Sequence, residues 1–246
     1  MSDDRPDFGV VSVAEVDLRV EERTWSFALR ERDAIDRRWE ASLAANPGYF
    51  NGVIYLTRRV AIADGVLSAR LFPAEFKAFL YWRSLGYPDA DAFDGFGSAL
   101  ITTADGAVIL GRQRQGRINS GLTYLPGGFI DQRDVLADGR VDIAQSILRE
   151  LEEETGLGSA DGAPAPGFLL ARAAHQVSYV LTFEARADAD ALTALIMARL
   201  AADPDSELQE VIAVRRLTDL EGSKLPPYAD CLLRSVFAPP RSVSRG

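Results

Sequence analysis

From Pro126 to Leu157 the chain runs as a Pro-Gly-Gly turn, an irregular stretch, and then RELEEETGL, and the last nine residues admit few structures. Wound as an α-helix at about 100° per residue, they place Glu150, Glu153 and Glu154 within roughly 100° of one another, so three carboxylates share one face. Ala144, Ile147, Leu148 and Leu151 fall on a neighbouring face that can bury against a sheet. Gly156 stands where a left-handed cap would end the helix. The helix therefore has a core side and an acidic side. Like charges at such spacing repel, and a divalent cation with hard oxygen ligands removes that cost.

With 246 residues, 47% hydrophobic and 26% charged, the chain can bury one large core or two small ones. A net charge of −9 argues against nucleic acid and membrane surfaces as partners, because phosphate backbones are bound through excess Lys and Arg. A phosphorylated small molecule bridged by metal remains compatible. The lone Cys231 has no disulfide mate in the chain, and no apolar run of about 18 residues or basic leader appears, so a cytoplasmic location is expected. Between Asp105 and Asp131 the chain carries Arg112, Arg114 and Arg117 and no acid. In an acidic protein this local basic excess suits phosphate oxygens, which guanidinium groups grip in pairs of hydrogen bonds. Arg112 and Arg114 alternate along a strand and would face the same way.

The pattern predicts an α/β (α+β) chain in two parts, residues 1–95 as a small N-terminal α+β lobe and 96–246 as a larger domain that carries the acidic helix. In the first, Val10 to Val20 reads as a strand, and Thr24 to Ala45 as a helix with Ala28, Ile35, Trp39 and Leu43 at helical spacing. Ile54–Ala63 and Val66–Phe72 flank Asp64-Gly65 as a hairpin, and Pro73 opens an aromatic helix. Gly86 to Gly95, with Pro88 and three acids, is the expected linker. Downstream, strands are expected at Ser98–Thr103, Ala107–Gly111, Leu122–Leu125, Phe168–Ala173, Val177–Ala185 and Glu210–Arg215. Helices are expected over the acidic segment, at Ala189–Ala201 and at Tyr228–Phe237.

These residues resemble the Nudix box, G-x5-E-x7-R-E-U-x-E-E-x-G-U, where U is bulky and aliphatic. Gly128 matches its first glycine, and Arg149, Glu150, Leu151, Glu153, Glu154, Gly156 and Leu157 match its second half. Gly128 and Arg149 stand 21 positions apart where the pattern has about 14, so the loop carries about seven extra residues. Val141 occupies the position eight before the Arg, where the first Glu is expected; Asp142, Asp131 and Asp134 are the candidate substitutes. The resemblance implies a mixed sheet sandwiched between helices and cleavage of a phosphoanhydride. It also implies Mg2+, or Mn2+ in its place, held by Glu150, Glu153 and Glu154, with Arg149 orienting a Glu. Gly127 and Gly128, with Arg112, Arg114 and Arg117, would meet the diphosphate. Glu207 and Glu210 are candidate supporting carboxylates, and His175, Asn119 and Tyr124 are weaker candidates for contact with substrate.

The N-terminal pattern Ile35, Trp39, Asn46-Pro47, Phe50-Asn51-Gly52 resembles the branch of the same family that hydrolyses UDP-glucose and UDP-galactose, which also has an extended box loop. That resemblance implies UMP and a sugar 1-phosphate as products. ADP-ribose or another nucleoside diphosphate derivative is the alternative substrate, and a sensor that binds a nucleotide sugar without cleaving it is the alternative class. The chain would act as a monomer or homodimer.

Overall fold

The stretch Val10–Val20 does not form a single strand. In the computed structural model, which describes residues 9–238, the chain bends at Ala14 and divides into β1 (Gly9–Val13) and β2 (Glu15–Val20), which join different sheets. Gly65 O accepts hydrogen bonds from Ala14 N and Glu15 N, at 2.7 and 3.3 Å, and so anchors the crossing. The expected helix is likewise two helices, α1 (Ser26–Arg30) and α2 (Arg32–Ala45), separated at Glu31, whose φ of −97° and ψ of 11° leave the helical region. Strands β3 (Val53–Ala63) and β4 (Val66–Glu75) make the expected hairpin. Both of its turn residues have positive φ, 51° at Asp64 and 76° at Gly65, as a type I′ turn requires. Pro73 lies inside β4 rather than opening α3 (Phe76–Ser84). It is tolerated there because β2 ends opposite Leu71, so no strand on that side needs a proline N–H.

The C-terminal half follows as β5 (Asp94–Thr102), β6 (Val108–Gln113), β7 (Thr123–Tyr124), β8 (Gly127–Phe129) and α4 (Ile143–Thr155). Then come β9 (Gly162–Pro164), β10 (Phe168–Ala173), β11 (Gln176–Ala185), α5 (Ala189–Ala202), β12 (Leu208–Val214) and α6 (Pro227–Val236). The larger sheet has the order β1-β10-β11-β5-β6-β12, with β7, β8 and β9 as short additions; the smaller has the order β2-β4-β3. β11 runs parallel to β5, while β10 and β12 are antiparallel to their neighbours.

Alternation along the central strands builds a layer on each face. Ile101 and Ile109 pack with Ile147 and Leu151 of α4 and Ile196 of α5; Leu100, Val108 and Leu110 pack with Leu232 and Leu233 of α6. This is the expected mixed sheet between helices. The expected lobe boundary needs two corrections. β1 belongs to the larger sheet, paired with β10, and Asp94 and Gly95 already lie in β5 rather than in a linker. Moreover Leu18, Leu67, Ala69 and Leu71 of the smaller sheet share one apolar cluster with α4. A backbone bond from Tyr55 N to Ile130 O (2.9 Å) ties the two halves further, and a reciprocal Thr57–Phe93 pair (3.0 and 2.8 Å) fixes the chain as it enters β5.

α4 sits low on the sheet because it packs over glycines. Gly97 pairs with Gly128 across β5 and β8, and a Cβ at Gly97 would lie 2.6 Å from Ile147 Cγ1. Leu151 is 1% exposed at the middle of this contact. Leu151→Ala should lower unfolding free energy by about 2–5 kcal/mol, measured by chemical denaturation.

Candidate active site

The extra residues of the box loop are folded. Asp131 and Asp134 form a reciprocal capping box around a 3-10 turn at Gln132–Asp134, and Val135 bridges Val141 to close the remainder. Asp134 is the loop acid that reaches the box arginine. It is 3% exposed, with Oδ2 accepting from Asp131 N–H at 2.9 Å and Oδ1 accepting from Arg149 Nη1 at 2.5 Å. Asp142 instead caps α4, accepting from Gln145 N at 3.0 Å, and Asp131 pairs with Arg133. Counted forward from Gly128, Asp134 stands at the G-x5-E spacing, with Asp in place of Glu. The insertion therefore lies between acid and arginine, and counting back from Arg149 to Val141 missed it. Arg149 also donates from Nη2 to Glu150 Oε1 at 3.0 Å and approaches Glu153 at 3.7 Å. Its guanidinium thus faces three carboxylates.

The three box carboxylates occupy different environments. Glu150 packs against Gly128, where any Cβ would overlap its carboxyl group. Burial raises its pKa, and Arg149 opposes the rise. Glu153 is exposed. Glu154 is 6% exposed and turned into the protein, with Oε1 accepting from Tyr124 OH and Oε2 from Gly127 N–H, each at 2.8 Å. Burial pushes its carboxyl up to about 8; the two hydrogen bonds oppose the rise, while the charges of Glu207 and Glu150 add to it. Arg133 lies among the acids, 2.7 Å from Asp131, 3.6 Å from Glu153 and 4.0 Å from Glu150. Among the described residues no three acidic, His or Cys side chains converge into a metal-holding group. The chemistry of the donors nonetheless fits a hard divalent cation, since all are carboxylate oxygens and a side-chain cation lies among them.

Glu150 and Glu153, but not the inward-turned Glu154, stand at one end of a cavity of about 640 Å3. The N-terminal half supplies its outer wall with Tyr49, Phe50, Phe76 and Arg83; β5, β11 and α6 supply Asp94, Gln176 and Tyr228; the box side supplies Gly127, Gly128, Asp131, Arg133, Glu150 and Glu153. Of the three expected arginines only Arg117 lines it, held to Glu207 at 3.3 Å. Arg112 is paired with Glu210 of β12 at 2.6 Å, and Arg114 donates to Leu208 O. Both are directed to the β12 edge, where a basic strand neighbour neutralises Glu210. Asn119 and Tyr124 line the cavity, whereas His175 stacks on Tyr87 at 5.2 Å between the two halves.

Asp94 was legible only as one of three acids in a supposed linker. It is 4% exposed, and burial pushes its carboxyl up to about 6 against the opposing influence of Arg83 and the Gln176 amide. Arg83 itself donates to Asn119 Oδ1 at 2.9 Å.

A family model described as NUDIX domain matches residues 94–230. No curated protein matches the chain. Similar solved structures include a Nudix hydrolase from M. smegmatis, at 16% identity over 58% of this chain and 83% of that one, with a TM-score of 0.38. Another is the MutT protein from Methanosarcina mazei Go1, at 24% identity over 59% and 90% respectively, with a TM-score of 0.37. No helix among the described residues is long and apolar enough to cross a membrane.

Two stability measurements separate the roles of these acids. Asp134→Ala leaves a partly buried guanidinium without its innermost partner and should cost about 3 kcal/mol, whereas Asp142→Ala removes only a helix cap and should cost about 1 kcal/mol. For Asp94 the folded-state pKa is raised, so its contribution to stability is fully present below the unfolded value of 3.8 and is lost as pH rises through about 6. Denaturation of Asp94→Asn beside the parent should show the variant gaining relative stability between pH 4 and pH 7, by up to about 3 kcal/mol.

Proposed function

The chain belongs to the Nudix family of pyrophosphohydrolases, and from that premise we propose that it hydrolyses a nucleoside diphosphate-linked compound, a UDP-sugar above all. The products would be UMP and a sugar 1-phosphate. The observation that carries the reading is the single cavity with the box carboxylates at one end and the N-terminal wall at the other. Such a space can hold a diphosphate against Glu150 and Glu153 while the remainder of the substrate extends beneath Tyr49 and Phe50. The extended box loop and the Trp39-to-Gly52 pattern support the UDP-sugar branch over ADP-ribose.

Glu150, Glu153 and Glu154 would hold Mg2+, or Mn2+ in its place. When bound, the metal would neutralise charge on the diphosphate and favour ionised water. Asp134 holds Arg149, and Arg149 holds Glu150, so the first of the three carboxylates is oriented before substrate arrives. Gly127 and Gly128 leave the floor of the cavity without side chains, which lets phosphate oxygens approach the backbone. Arg133 and Arg117 supply positive charge at the rim, where charge accumulates on the phosphoryl oxygens during cleavage. Water attacks one phosphorus, the bridging P–O bond breaks, and the departing phosphate leaves as the sugar 1-phosphate or as UMP. The proton from water passes to one of the box carboxylates or to Asp131.

Product analysis with UDP-glucose, ADP-ribose and a dinucleoside polyphosphate, with and without Mg2+, tests this reading. UMP and glucose 1-phosphate should form only with the metal, and Glu154→Gln should lower kcat by about 100-fold or more. Turnover of ADP-ribose alone would keep the reaction class and discard the sugar nucleotide.

A further inference from the structure

One carboxylate oxygen in the cavity wall has no use in the chemistry described above. Asp94 lines the cavity, and its buried Oδ1 has no hydrogen-bond partner in the protein. A buried acceptor left unpaired is costly, and its neighbours do not complete it. The Gln176 side chain hydrogen-bonds the carboxyl group, and the Arg83 guanidinium acts on it through its charge. Arg83 is engaged by Asn119, and Gln176 accepts at its other end from Tyr228 N–H. The Asp94 backbone N–H is taken by His175 O. Oδ1 therefore remains without a donor, on a residue that lines the cavity.

Its position along β5 determines which part of a ligand it would meet. Gly97 pairs with Gly128, directly over Glu150, and Asp94 is three residues earlier in the same strand. At about 3.3 Å per residue that is about 10 Å from the box. A diphosphate at Glu150 and Glu153 therefore leaves the opposite end of the cavity for the uncharged half of the molecule. Phosphate would not be accommodated at Asp94, because a phosphate oxygen is an anionic acceptor meeting another acceptor. The missing partner has to be a donor.

We propose that Asp94 is a specificity-determining residue that accepts a hydrogen bond from an O–H or N–H group on the non-phosphate half of the substrate, and so sets the direction in which the substrate lies in the cavity. The proposal rests on the nucleotide-hydrolase reading above but does not require the sugar to be glucose. Retention of a proton by Asp94 up to about pH 6 does not remove the site, since a carboxyl group still presents one accepting oxygen.

The test is calorimetric binding, with Ca2+ in place of Mg2+ so that hydrolysis does not consume the ligand, of UDP-glucose, ADP-ribose and inorganic pyrophosphate to the full chain and to Asp94→Ala. Loss of a hydrogen bond to a carboxylate should weaken the nucleotide that binds the parent by about 10- to 100-fold, and change pyrophosphate affinity by less than about threefold. Asp94→Asn, which keeps the shape and one accepting oxygen, should fall between the two and guards against an unfolded alanine variant. Parent binding of ADP-ribose in place of UDP-glucose, with the loss intact in the variant, would discard the UDP-sugar reading and keep this one. Unchanged nucleotide affinity in both variants would overturn the proposal, as would an equal loss for pyrophosphate, or a parent that binds pyrophosphate but neither nucleotide. With UDP-glucose as the ligand, its 2′-deoxy and N3-methyl analogues then assign the donor: whichever binds the parent as weakly as UDP-glucose binds Asp94→Ala lacks the group that Asp94 reads.

Discussion

The close approach of α4 to the Gly97–Gly128 pair is the constraint on which the site depends. Two strands facing each other with hydrogen in place of side chains let a helix pack almost onto the backbone, and Ile147 fills the space a Cβ would take at Gly97. Because the helix is that low, Glu150 presses against Gly128 and Glu154 reaches the Gly127 amide. A side chain at Gly97 would press on Ile147 and lift the helix with its carboxylates, and one at Gly128 would displace the Glu150 carboxyl group. The apolar face of α4, centred on Ile147 and Leu151, supplies the free energy that holds this arrangement against the repulsion of its acids.

That repulsion is managed by giving each acid a different solution. Glu150 receives a guanidinium whose own position is set by the buried Asp134, Glu153 stays in water beside Arg133, and Glu154 is buried with two donors. Burial outweighs the two donors at Glu154, which is why its proton is held more tightly than in water. At Glu150 burial prevails as well, although Arg149 reduces the effect. A ligand that brings positive charge to the cavity therefore finds carboxylates that gain from it.

Much of this was legible in the residues. The period of α4, its glycine cap, the Asp64-Gly65 hairpin and the strands at Phe168–Ala173 and Gln176–Ala185 follow local rules, and local rules suffice where one face is buried. The failures have a common cause in pairing between distant segments. Nothing local in Val10–Val20 says that its two halves join different sheets, and nothing in Arg112 says that Glu210 will be its neighbour. Pro73 reads as a helix opener unless the missing third strand beyond Leu71 is known. Asp134 was recoverable by counting from Gly128 rather than from Arg149, since an insertion shifts one count and not the other.

The same long-range pairing makes the N-terminal half part of the site rather than an attachment to it. A lobe tethered by a flexible segment would leave Tyr49 and Phe50 at a variable distance from the box. Here Tyr55 N–H is bonded to Ile130 O and the Tyr55 hydroxyl to Gln132 at 2.8 Å, so the N-terminal half is joined to the box loop at the start of the 3-10 turn. Asn46, bonded to Gly116 O, ties the wall to the Arg117 loop across the mouth. The cavity thus keeps its length, and length is what allows one end to favour cations and phosphate while Asp94, about 10 Å away along β5, favours a neutral donor. A site of this kind discriminates by the order of groups along the ligand, which a box of carboxylates alone would not do.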